Sequence, residues 1–135
     1  MQSLVTLERA KELVRDAVGR FPNRINPRTS EGGWNDVCLY TGPRDTHCIA
    51  GQVMADLGLK LPEVDSINNS SSLSDDGVLP PDHPFTEDAL NYMRAAQYVF
   101  DGGPLAHYPK TKNRRWAPAL RLLEKYTDEA LDASA

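Results

Sequence analysis

The chain has 135 residues, with 40% hydrophobic and 25% charged side chains. That is enough for one domain to bury a core without a disulfide or a metal, and it argues against disorder of the whole chain. Net charge is −4, too small to name a partner class by itself.

Leu4, Leu7, Leu13, Val14, Ala17, Val18 and Phe21 recur near helical spacing and predict a first helix. Ser3 or Thr6 is placed to cap its start, and Gly19 followed by Pro22 reads as its stop. Charged residues interrupt this region from Glu8 to Asp16, so it does not read as a secretory leader. No stretch approaches a membrane span. The expectation is a soluble cytosolic protein in which Cys38 and Cys48 are reduced rather than bridged.

Residues 22–33, rich in Pro, Asn, Ser and Gly, read as a loop. Residues 34–41 alternate as a short strand would, with Val37, Leu39 and Thr41 on one side, before a turn at Gly42–Asp45. A second helix is predicted at about 47–57 from Ile49, Val53 and Leu57, with Asp45 or Thr46 as cap and Gly58 as close. It is apolar around much of its circumference and should be deeply buried. Residues 62–85 read as a long polar loop, with one helical turn near Pro62–Ile67.

A third helix is predicted from Glu87 to Phe100, capped by Thr86 and ended by Gly102, Gly103 and Pro104. A fourth begins near Trp116, takes its core face from Trp116, Leu120, Leu123 and Tyr126, and runs to Ala130 or Leu131. Together these predict one mainly α domain: a small orthogonal bundle of about four helices with one short β element, or an α+β domain with a small hairpin.

Cys38-Leu-Tyr40 followed by Cys48-Ile-Ala-Gly-Gln-Val-Met-Ala-Asp-Leu-Gly58 resembles a group of small uncharacterised proteins of actinobacteria and their phages. The later Ala96-Gln97 through Asp101-Gly102, and Trp116-Ala117, are similar to that group as well. The resemblance spans residues 34–120 in short apolar pieces. It implies a shared fold and an actinobacterial or phage origin, but no chemistry.

Three constellations bear on function. His47-Cys48 opens the second helix, where the positive end of the helix dipole favours a thiolate. A nucleophilic Cys48 would need His107 or His83 as base, whereas a small buried thiol at a helix start is the commoner role. Cys38, His47, Cys48, His83 and His107 lack the paired spacings of zinc ligands, so neither a metal nor another cofactor is expected. The segment from His107 to Trp116 sets Tyr108, Lys110, Lys112, Arg114 and Arg115 together, the mixture of cations and aromatics that contacts phosphates and stacks on bases. The alternative is a solvated loop with Tyr108 and Trp116 turned into the core.

Charge is also unevenly spread. Residues 61–105 carry eight acids against Arg94 alone. The expected function is a non-enzymatic protein-interaction module, a phage or prophage accessory protein that binds a host or phage component. Nucleic-acid contact through residues 107–116 is the second reading, and a cysteine-dependent hydrolase or transferase the third.

Overall fold

A computed structural model describes residues 4–26, 48–58 and 84–134. The predicted strand at 34–41, His47, Cys38, His83 and nearly all of the 62–85 loop lie outside the described residues.

The apolar stripe of the first segment forms α1, Leu7–Arg20. The Thr6 hydroxyl caps it by accepting the Arg9 N–H, and Ala10, Leu13, Val14, Ala17 and Val18 face inward. Leu4 does not join this stripe; it precedes the helix and is 67% exposed. Gly19 is not the stop either. It lies inside α1, and the helix ends when Phe21 leaves the helical region with its N–H on the Ala17 carbonyl.

Helix α2, Ile49–Asp56, is buried along six of its eight residues. Its cap is Cys48 rather than Asp45 or Thr46: the thiol sulfur accepts the Gly51 N–H at 3.4 Å. Gly58 closes it with φ +73°, a left-handed conformation that glycine adopts without steric cost.

Helix α3, Glu87–Phe100, has Thr86 as cap and Glu87 and Asp88 in its positive first turn. It packs against each of the other four helices and supplies the largest share of the core. Gly102 follows it with φ +88°, and a Cβ there would meet the Thr111 carbonyl oxygen at 2.2 Å. The chain can double back against the end of α3 only with glycine at this position.

The predicted fourth helix is two. Helix α4 spans Trp116–Lys125 and α5 spans Thr127–Ser134. Tyr126 breaks the run at φ −122°, ψ 40°, and the Thr127 hydroxyl donates to the Leu123 carbonyl at 2.7 Å. The break turns Ala130 inward and sets α5 across α3.

The protein is therefore a small mainly α bundle with five helices among the described residues. Among these residues β structure is limited to isolated bridges. Val5 pairs with Phe85: the Val5 N–H donates to the Pro84 carbonyl at 2.8 Å, and the Thr86 N–H to the Val5 carbonyl at 3.0 Å. Ion pairs tie α1 to its neighbours, with Arg15 on Glu124 of α4 at 2.9 Å and Arg20 on Asp56 of α2.

Candidate functional site

Cys48 lies at a junction where the start of α2, the end of α3 and the start of α4 meet. Asn26, 1% exposed, organises it. Its Oδ1 accepts the Ile49 N–H at 2.9 Å and the Trp116 indole N–H at 3.0 Å. Its Nδ2 donates to Asp101 at 2.8 Å, and its carbonyl accepts from Asn113 Nδ2 at 2.7 Å.

The opening N–H groups of α2 are thereby consumed by the protein. Ile49 donates to Asn26, Ala50 to Gln97 Oε1 at 3.1 Å, and Gly51 to Cys48. Helix α4 has no capping side chain because its first two N–H groups donate to the Arg24 and Pro22 carbonyls. Arg24 stacks 3.7 Å over the Phe21 ring and donates to Gln52 Oε1. Burial and the neighbouring Arg20 hold its pKa below the usual guanidinium range.

This junction is closed. Cys48 has no exposed surface, and its sulfur is engaged in capping. His107 is exposed on the loop between α3 and α4. A nucleophile needs access to a substrate carbonyl and a base within hydrogen-bond reach. Cys48 lacks the first, and His47 lies outside the described residues. Among the described residues no group of three His, Cys, Asp or Glu side chains could hold a metal ion.

The basic segment divides. Lys110, Lys112 and Arg115 are exposed. Arg114, adjacent to Arg115, instead turns inward and donates Nη1 to the Val99 carbonyl at 2.8 Å and the Gly103 carbonyl at 3.0 Å. Burial lowers its pKa, the expected cost of a cation used to tie off a helix end. Trp116 is fully buried against Phe100 and Phe21, and half-buried Tyr108 packs edge-on to Tyr126 at 5.8 Å. Arg121 and Lys125, on the outer face of α4, extend the set of exposed cations. They lie at i and i+4, on one face of the helix that follows the basic segment.

A cleft of about 520 Å³ opens between α1, the first half of α3, and α5. That volume is within the ~300–1,000 Å³ of typical ligand sites. Leu7, Lys11, Tyr92, Arg94 and Leu131 line it. Asp88, Asp128 and Asp132, all exposed, stand at its rim. Tyr92 is 2% exposed, and Lys11 Nζ lies 6.0 Å from its ring centroid. Burial, with a smaller push from Glu124, raises the Tyr92 pKa to about 12.

Arg94 is the distinctive group. Its Nη1 reaches Asn91 Oδ1 at 3.3 Å, while Nε is buried and has no hydrogen-bond partner among the described residues. It makes no ion pair with a described carboxylate, although three acids border the same cleft. The sequence signal was present: Arg94 is the lone cation of an acidic stretch. Nothing in the sequence placed it in a cleft, because α5 was not foreseen.

The chain matches no family model, no curated protein and no solved structure. Among the described residues no helix is long and apolar enough to cross a membrane.

Proposed function

We propose that this chain is a non-catalytic binding module that acts by docking a protein partner in the α1–α3–α5 cleft. The observation that carries the reading is the cleft of about 520 Å³ in which the partly buried Lys11 and Arg94 stand beside Leu7 and Leu131, with Arg94 in no ion pair with a described carboxylate. An occupant that brings an acceptor pairs with the cations, and Leu7 and Leu131 offer it apolar contact. The resemblance to actinobacterial and actinophage proteins makes the partner a host or phage protein. The closed setting of Cys48 gives no support to a thiol nucleophile.

The test is capture from a lysate of the organism that encodes the chain. Leu131→Lys places a cation beside Lys11 and Arg94 and should abolish recovery of a stoichiometric partner. Lys112→Glu, on the opposite connection, should leave it intact. Equal capture by wild type and Leu131→Lys would remove the cleft as the docking place.

A second reading, nucleic-acid contact, is favoured by one observation: Lys110, Lys112, Arg115, Arg121 and Lys125 make no ion pair with any described carboxylate. Binding of a single-stranded oligonucleotide would then fall steeply with salt. Replacing Lys110, Lys112 and Arg115 together by Ala should abolish it. Binding unchanged by the triple substitution ends that reading.

A further inference from the structure

We infer that the occupant of the cleft is the free C-terminal end of a partner polypeptide, with its carboxylate on Arg94 and Lys11 and its last, apolar side chain against Leu7 and Leu131. This rests on the partner-binding reading above and names the chemistry of the partner.

The charges are layered. Lys11 and Arg94 are partly buried, whereas Asp88, Asp128 and Asp132 are exposed. Exposed carboxylates are screened by water and salt, so the two cations weigh more inside the cleft than three acids at its mouth. Asp88 is further occupied, accepting from the Thr86 hydroxyl and from the Ala89 N–H at 2.9 Å. The interior thus favours an anion while the rim favours N–H groups or a cation. An extended chain that enters carboxylate first satisfies both: its terminus meets the guanidinium fork, and its upstream amides pass the rim acids.

A carboxylate suits Arg94 because the planar guanidinium can donate from its two terminal nitrogens together. Lys11 is available as a second donor, since its one ion pair among the described residues, with Glu8, is long at 4.0 Å. At a chain end the carboxylate and an apolar side chain share one Cα. That compact pairing matches a short cleft whose cations and leucines face the same space, and capture of chain ends is an established mode of peptide recognition. An internal Asp or Glu would have to bring flanking chain on both sides into the same volume.

The experiment uses fluorescein-labelled pentapeptides that differ in their last residue, each as free acid and as C-terminal amide, read by polarisation against the intact chain. N-acetylated single amino acids serve as competitors. Free acids ending in an apolar residue should bind, and their amides should bind about tenfold or more weakly. Arg94→Gln should erase the difference between acid and amide, and its circular dichroism should match wild type. Equal binding of acid and amide overturns the carboxylate claim. An N-acetylated amino acid that competes as well as the peptide shifts the occupant to a small carboxylic acid and overturns the polypeptide. If no peptide binds but lysate capture still depends on Leu131, the chain-end occupant fails while the docking cleft stands. If capture ignores Leu131 as well, both fail.

Discussion

The Asn26 junction and the α1–α3–α5 cleft have opposite accounts of their hydrogen bonds. At the Asn26 junction every opening N–H of α2, the Trp116 indole and the first amides of α4 meet an acceptor supplied by the protein. In the wall of the α1–α3–α5 cleft the Arg94 Nε–H is equally hidden from water and meets none among the described residues. The first region is saturated, so it holds three helix ends together and has nothing left to offer a ligand. The second keeps Lys11 and Arg94 beside an open cleft, which is why docking is proposed there. Burial of polar groups alone would have ranked the junction, with its cysteine, above the cleft.

The largest effect should come from breaking the saturated side. Asn26→Leu strips acceptors from Ile49 and Trp116 and a donor from Asp101, and should destabilise the chain by about 3–4 kcal/mol, read from urea unfolding. A loss below about 1 kcal/mol would mean that the junction is not the fastening it resembles.

Next is the pH response of Tyr92, in the cleft wall. Its folded pKa of about 12 is above the unfolded value near 10. Between these limits the unfolded chain gives up its proton while the folded chain keeps it. The stabilisation is complete below pH ~10 and is lost as pH rises through about 12, up to ~2–3 kcal/mol. Tyr92→Phe should flatten that part of the stability profile, measured by chemical denaturation from pH 9 upward.

Smaller, and opposite in sign, is Arg94→Met. Removing an unpaired buried donor should stabilise the chain by about 1 kcal/mol while abolishing partner capture. A destabilised variant would show that Arg94 already has its acceptor. The smallest change should be Cys48→Ser. An oxygen takes over the cap from sulfur, so stability should move by no more than about 0.5 kcal/mol. In a Cys38→Ala background the Cys48 thiol should resist alkylation until the chain is unfolded. Rapid alkylation of folded protein would reopen the junction as a reactive site.

The sequence made some of this readable and hid the rest for physical reasons. Periodicity exposed α1, α2 and α3, because a stripe of Val, Leu and Ala is written locally, as is a cap such as Thr86. The split between α4 and α5 was also written locally, with Lys125 closing one helix and Thr127, Asp128 and Glu129 opening the next. The apolar spacing, however, runs on through Tyr126 and masks the break. Asn26 carried no such mark: an asparagine in a loop is ordinary until the fold closes around it. Arg114 and Arg115 are indistinguishable in sequence, yet one ends α3 and the other faces water, because the turn at Gly102 decides which of two neighbours points inward. Arg94 was legible as an odd charge but not as an unpaired one, since that depends on α5 lying across α3.

The cleft borrows one wall from Leu7 and Lys11, near the start of the chain, and another from Leu131, more than a hundred positions later. On a ribosome, the earlier wall emerges long before the later one exists. Until α5 is made and seated, Leu7 and Tyr92 have no opposite face, and no pocket is present to be filled. A chain broken off before Thr127 would therefore fold, if at all, without the cleft.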